Sequence, residues 1–357
     1  MAGCGSDLRV PAERPDPAAA ARQQQEFVEA MKPRRTGKPV IAVLAYNDST
    51  ETTDFLISHG VLQRAGVAEV QAVAPRRGRV VLYPALQVEV DQDFAGFDQA
   101  HPAGADYVIV PALDDTDDPA VTAWLRHQAA KGARIVGVCA GALVLGRAGL
   151  LDGRRFVTHW YYRKDVLKRH PTSVYVPHQR YLADGPVATT TGITASMPAM
   201  LALVEAIGGP ARAREVAAEL GVNAWTPAHD SAAFGLDFER AVRYLAVQAA
   251  FWRDEQWQVD ARDGMDDLAL ALAADAWSRT GHVQVTAAGT SPVKLRSGLR
   301  LLVESGEPQP RLPLAPALKP AQQLDRTLCD IAARFGRPRS EWVMAELEYP
   351  GTLVCTN

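Results

Sequence analysis

From Lys38 onward the chain alternates two apolar rhythms. KPVIAVLAYND is a continuous apolar run ending in polar residues, as a strand buried on both faces would be. The STETTDFLISHGVLQRAGVAEVQAVA stretch after it reads as a loop, a helix and a second strand. DYVIVPA is a further buried strand, PAVTAWLRHQAAKG a helix ending at Gly132, and RIVGV a strand that enters a helix with no loop between. SVYVPH and PVATTTG are later strands, MPAMLALVEAIGG is a helix stopped by glycine, and ARAREVAAELGV adds one more. This alternation over residues 38–221 predicts a parallel sheet covered by helices on both faces.

The flanks read differently. Residues 1–37, rich in Pro, Ala, Gln and Arg, are expected to form a flexible tail, apart from a helix over AAAARQQQEFVEAM. Residues 222–357 are expected to form a C-terminal α+β extension. In it NAWTPAHDSAAFG is turn-rich, and FERAVRYLAVQAAFWRDEQW has helical periodicity with an aromatic packing stripe. GMDDLALALAADAWSRTG is a helix, HVQVTAAGTSPVKLRSGLRLLV reads as strands, and PQPRLPLAPALKP is a linker or surface crossing. Aligned without gaps, that strand stretch shares with VQAVAPRRGRVVLYPALQVEV the residues Val70, Gln71, Ala74, Val80, Leu82, Leu86 and Val90. The same offset sets Asp267 against Asp54, so this region is read as a degenerate partial repeat without an elbow cysteine. The AAELGV ending invites a helix-turn-helix reading, but no recognition helix follows it.

Composition narrows the function classes only a little. At 357 residues and 47% hydrophobic, the chain can bury one large core or two modest ones. A net charge of −3 gives no electrostatic reason to expect nucleic acid. The four cysteines, at positions 4, 139, 329 and 355, lack CxxC spacing, which argues against a disulfide framework or a structural zinc site; Cys329 is read as a structural helix residue. No HExxH or comparable cluster suggests a metal, and no Gly-rich phosphate loop or Lys-anchored motif implies an organic cofactor. No apolar run approaches the length of a membrane helix. MAGCGSD reads like the end of a bacterial lipoprotein signal, without the hydrophobic region that would precede it. As written the chain is expected to be cytoplasmic. A periplasmic lipoprotein, anchored to the membrane through a lipidated Cys4, is the alternative if the start has been trimmed.

The chemistry centres on Cys139, at the strand-to-helix junction in RIVGVCAGALVLGRAGLLDG. A side chain at such a turn projects from the carboxyl edge of the sheet, and the first helical N–H groups point toward it. The positive helix end favours thiolate, so Cys139 is expected to titrate below the free-cysteine value of about 8.5. A buried cysteine acting as a small core residue is the plain alternative. Asp54, near the start of the first helix, and His159, in RRFVTHWYY, would gather along the same strand edge. Thiol, carboxylate and imidazole together can activate a nucleophile and move a proton. Taken singly, an acid in a first turn is commonly a cap, and a histidine beside a tryptophan is commonly structural.

With CAGA at an elbow, an acid in the first helix and THW about 20 residues after the cysteine, the chain resembles the ThiJ/PfpI family of the class I glutamine-amidotransferase-like superfamily. DFLISHGVLQRAG, AGLLDGRR and TTTGITASMPAMLALVEAIGG fall where that family has corresponding segments. The family includes Parkinson-associated deglycase-like proteins, isonitrile hydratases and sensor domains of some AraC-type regulators. The resemblance implies an α/β, flavodoxin-like fold, with Cys139 as nucleophile, Asp54 as the acid bonded to it and His159 nearby. Ala112, Leu113, Ala140, Gly141, Trp160 and Thr194 would form the oxyanion hole and pocket. Many members carry Gly-Gly where this chain has Pro111, Ala112 and Leu113, so a bulkier pocket floor is expected. Ala140 matches the deglycase-like branch and Asp54 the hydratase branch. The expected function is a bacterial cysteine-dependent enzyme, a hydrolase, hydratase or glyoxalase type, acting on a small electrophilic molecule. A redox or ligand sensor or stress protein using the same cysteine is the alternative. Neither reading requires a cofactor, a metal or nucleic acid, and a homodimer is left open.

Overall fold

The computed structural model describes residues 16–114, 117–235, 255–305 and 307–355. It opens on α1 (Pro17–Ala30), capped by the Asp16 carboxylate, which accepts the Ala18 and Ala19 N–H groups. Residues expected in a flexible tail are therefore a packed element from Pro17 on. Phe27 and Met31 are fully buried, the Phe27 ring meets Tyr181 edge-on at 4.8 Å, and the Tyr107 hydroxyl donates to the Met31 carbonyl. Two large apolar residues one turn apart suffice to dock an otherwise polar helix.

Next come β1 (Val40–Leu44), β2 (Thr50–Glu51), α2 (Thr52–Ala65), β3 (Glu69–Ala74), β4 (Gly78–Tyr83), β5 (Gln87–Val90), β6 (Gln92–Asp93), α3 (Phe94–Ala100), β7 (Tyr107–Val110) and α4 (Pro119–Ala130). They continue through β8 (Arg134–Gly137), α5 (Gly141–Arg147), β9 (Arg155–Phe156), α6 (Arg163–Arg169), β10 (Val174–Tyr175), β11 (Tyr181–Asp184), β12 (Val187–Thr190) and α7 (Ser196–Leu220). The main sheet runs β11-β12-β8-β7-β1-β3-β6, parallel throughout except for the antiparallel edge strand β11. Alternation along β1 separates two cores. Ile41 and Val43 face a layer that includes α1, α2 and α7, while Ala42 and Leu44 face α3, α4 and α5. This is the α/β sheet, helical on both faces, that the alternating rhythms predict.

α7 breaks at Gly209, where φ is +82 and Pro210 restarts the helix, matching the expected glycine stop and second helix. By length and composition the Ile193–Leu220 stretch could cross a membrane, against the expectation that no run is long enough, but 67% of that apolar window is buried inside the protein.

The C-terminal region adds β13 (Glu255–Asp260), α8 (Asp267–Ser278), β14 (Val283–Ala288), β15 (Val293–Lys294), β16 (Arg300–Leu301), α9 (Pro320–Phe335) and α10 (Arg337–Glu346). The helix expected from the aromatic stripe lies almost wholly outside the described residues, and its last residues, Glu255–Trp257, belong to β13. Strand β16 pairs with β5 and extends the β4–β5 hairpin into a second sheet, β15-β16-β5-β4-β2. Cys329 in α9 is bonded to Cys355. This corrects the expectation against disulfides, since one long-range bridge needs no CxxC spacing.

Helix α8 lies directly on α2. A Cβ on Gly60 would sit 2.3 Å from Leu268 Cδ1 and 3.0 Å from Asp267 Oδ2, so the absence of a side chain permits the approach. Gly60→Ala should therefore force the helices apart and cost about 1–3 kcal/mol despite the better helix propensity of alanine. A thermal melt showing equal or higher stability in the variant would contradict this close packing.

Candidate active site

β8 ends at Gly137 and α5 begins at Gly141, so three residues turn the chain. Cys139 takes φ +57, a left-handed conformation that costs a non-glycine residue about 1–3 kcal/mol and persists only where its surroundings impose it. Here the Cys139 N–H donates to Thr190 Oγ1 at 3.3 Å and the Thr158 hydroxyl donates to the Cys139 carbonyl at 2.8 Å. Gly141 completes the clamp: its N–H donates to the Val138 carbonyl, and a Cβ there would lie 2.1 Å from the Val110 carbonyl oxygen. Gly141 is thus a packing residue with its N–H spent, and it does not line the pocket.

Cys139 lies in the wall of a cavity of about 690 Å³. Ala112, Leu113, Ala140, Leu143, His159 and Trp160 share that wall, together with Glu51, Tyr83, Arg279, Trp342 and Glu346. Asp54 sits behind the wall, fully buried. Its Oδ2 accepts the Ala112 N–H at 3.1 Å, and its Oδ1 accepts the Ser196 hydroxyl at 3.3 Å. The Ala112 N–H, expected in an oxyanion hole, is therefore committed to Asp54. Burial pushes Asp54 up to about 7.

Above Asp54 stands a carboxylate not singled out from the sequence. Glu51 caps α2, its Oε2 accepting the Asp54 N–H at 2.5 Å and the Thr53 hydroxyl at 2.9 Å. Its spacing of three residues from Asp54 in STETTDF, which puts two acids on one helix face, was the available signal. Burial raises Glu51 well above the usual range, and Asp54 and Asp275 push it further, opposed by Arg279. The arginine fork reaches in from the end of α8. Its Nη2 lies 2.8 Å from Glu51, Nε 2.9 Å from Asp275 and Nη1 3.5 Å from Glu346. No local pattern marked Arg279, Glu346 or the buried Glu348, because their roles come from contacts distant in sequence.

Two expectations about the thiol and the imidazole are corrected. Cys139 is raised, not lowered: burial pushes it well up, and the carboxylates of Asp54, Glu51 and Glu348 add to this, outweighing the Ala140 N–H. His159 lies in the cavity wall, but both its ring nitrogens are engaged. Nδ1 accepts the Tyr161 N–H at 3.2 Å, which leaves the proton on Nε2, 2.9 Å from the Glu346 carbonyl. Burial also lowers its pKa, which favours the neutral ring that these two bonds orient. Trp160 Nε1–H donates to the Ala345 carbonyl and its backbone N–H to Glu348. Thr194 is turned to the same segment: its N–H donates to Leu347 and its hydroxyl to the Glu348 carbonyl, outside the cavity wall.

A parallel α/β sheet with a clamped cysteine at a strand-to-helix elbow, backed by a buried carboxyl, defines a class of domain built around one cysteine. Residues 39–206, just under half of the chain, match the model of the DJ-1/PfpI family, so this part of the chain is a domain of that type. It is 39% identical over 105 residues to an isonitrile hydratase of Pseudomonas putida, covering 29% of this chain and 44% of the relative. It is 35% identical over 112 residues to the HTH-type transcriptional regulator CdhR of Pseudomonas aeruginosa, covering 31% of this chain and 33% of the relative. The chain thus spans less than half the length of these curated relatives. Drosophila melanogaster DJ-1beta superposes on 52% of this chain and 99% of its own, with 23% identity and a TM-score of 0.47. The relatives include both an enzyme and a regulator. The regulator's name sits against the expectation of no nucleic-acid partner, although DNA binding is a property of that relative and is not shown for this chain.

Since carboxylates raise the thiol, Glu51→Gln should lower the Cys139 pKa. Alkylation by iodoacetamide at pH 7 should then run about tenfold faster for a shift of one unit. Rates followed by peptide mapping test this, and a slower or unchanged Cys139 would show that Glu51 does not act on the thiol.

Proposed function

We propose that this chain is a cysteine-dependent enzyme of hydrolase, hydratase or glyoxalase type, acting on a compact electrophile such as a 2-oxoaldehyde or an isonitrile. The observation that carries this reading is the clamped Cys139 in the wall of a 690 Å³ cavity, with a buried Asp54 poised near pH 7 behind it. The thiol is held protonated, so a nearby base must take its proton as it reacts, and a carboxyl poised near neutrality suits that task. Asp54 accepts the Sγ proton as the sulfur–carbon bond forms. The displaced electron pair moves onto the adjacent heteroatom of the substrate. A protonated isonitrile adduct, a thioimidate, then adds water and expels the thiol; a 2-oxoaldehyde adduct, a hemithioacetal, first moves a proton from the former aldehyde carbon to its neighbour, giving a thioester that water cleaves to acid and thiol. Ala140 and Leu113, which line the cavity with the thiol, are sequence-expected pocket residues that remain available here.

The alternative is a ligand or redox sensor using the same cysteine. It is favoured by the high thiol pKa, which slows attack, and by the regulator among the relatives. We also propose an oxidising compartment for the chain, a reading supported by the Cys329–Cys355 disulfide, a bond more usual outside the cytosol. Free thiols at both positions in protein isolated from its native host would remove that support.

For the enzyme, Cys139→Ala should abolish turnover and Asp54→Asn should fold yet lose about 10²- to 10⁴-fold in rate. The wild-type kcat/KM should rise with pH through about 7 as Asp54 loses its proton. Wild-type protein inert toward a broad panel of aldehydes, isonitriles, amides and esters, or full activity in the alanine variant, would give the site to the sensor reading.

A further inference from the structure

The C-terminal region repeats the first in three dimensions. β13–α8–β14 is a parallel strand–helix–strand unit like β1–α2–β3, and it is followed by the β15–β16 hairpin as β3 is followed by β4–β5. Strand β16 pairs antiparallel with β5, and Leu301 lies opposite Val88, the residue that the ungapped alignment sets against it. The strand order β15-β16-β5-β4 is therefore palindromic, as a local two-fold axis requires. Helices α2 and α8 answer one another in the same way. Arg64 near the end of α2 reaches Asp266 and Asp267 at the start of α8, while Arg279 just beyond α8 reaches Glu51 at the start of α2. The copy has no elbow cysteine, so only one of the two helix starts faces a nucleophile.

We propose that the second copy serves the site of the first: it places Arg279 as a positioning residue that fixes Glu51 and, through Glu51, the first turn of α2 that carries Asp54. This rests on the reading of Asp54 as the base for Cys139. The link is continuous, because the Arg279 fork holds the Glu51 carboxylate and that carboxylate holds the Asp54 N–H and the Thr53 hydroxyl. The ionisable groups that bear on the pair are Asp275 and Arg279 from the second copy, Glu346 at the end of α10, Cys139 at the elbow, Tyr83 and Glu348. His159 is neutral and turned to backbone. Arg279 is the sole cation among them.

Arg279→Met and Arg279→Lys in the full chain test this through two readouts. The acid limb of kcat/KM should move up by about one pH unit in the methionine variant and return most of the way in the lysine variant, since a cation at this distance lowers a carboxyl by that order. Stability supplies a readout free of activity. Asp54 titrates about 7 in the folded chain and lower when unfolded, so the stability it contributes is complete below the unfolded value and is lost as pH rises through 7. Without the arginine that loss should deepen, giving a melting temperature close to wild type at pH 5 and well below it at pH 8. Glu51→Gln combined with Arg279→Met should recover part of the pH 8 deficit, because one of the three carboxylates the arginine compensates, the one that holds Asp54, is gone. An equal deficit at both pH values, or a double variant no better than the single one, would make Arg279 a merely structural residue and overturn the inference. If the wild type turns over nothing, the enzyme reading falls and the melting profiles alone decide.

Discussion

One buried cation governs the region where the two halves of this chain meet. Arg279 draws Glu51, Asp275 and Glu346 together from the start of α2, the body of α8 and the end of α10, with Asp54 a turn behind. Removing charges from water is costly, and a guanidinium recovers that cost only with good geometry on every side. Here the fork satisfies three carboxyls, but one positive charge cannot balance them all. The surplus shows in their titration: Glu51, Asp54, Asp275 and Glu346 are all raised, each chiefly by burial. Such a group titrates as a unit, so any change at one member is felt by the others.

The thiol inherits this environment. A cysteine at a helix start beside a basic group would ionise early, but Cys139 is buried beside acids and keeps its proton. The backbone strain at φ +57 is met elsewhere, by Thr158, Thr190 and the bare Gly141 against Val110. The fold thus spends its constraint on where the sulfur points, while the acids around it raise the thiol's pKa.

Periodicity made the sheet, its flanking helices and the elbow legible, because apolar spacing and a strand running straight into a helix are local properties. The shared Val, Gln, Ala and Leu positions of the ungapped alignment fall along β3–β5 and along β14–β16. What escaped was non-local. Phe27 and Met31 sit in a Gln-rich segment whose burial depends on Tyr181 and Tyr107 far along the chain. Cys329 and Cys355 gave no spacing signal, and the direction of the Cys139 shift depends on how many acids converge on it. His159 looked like a proton carrier because its type and place fit. Its actual duty is fixed by the backbone of Tyr161 and Glu346, which no side-chain pattern records.

The family-matched residues 39–206 do not complete this site. Arg279, Trp342 and Glu346 all lie beyond them and form part of the cavity wall, while the 345–348 backbone and the Glu348 carboxylate fasten Trp160, Gly192 and Thr194. A pocket takes its selectivity from its walls, and its nucleophile takes its reactivity from the charges around it. Here both come in part from outside the matched segment, the charge from Arg279 just beyond α8 and the walls also from Trp342 and Glu346 of α10. The cavity around Cys139 is therefore shaped only in part by the matched segment, and a side chain changed at Arg279, Trp342 or Glu346 alters the same wall that the elbow faces.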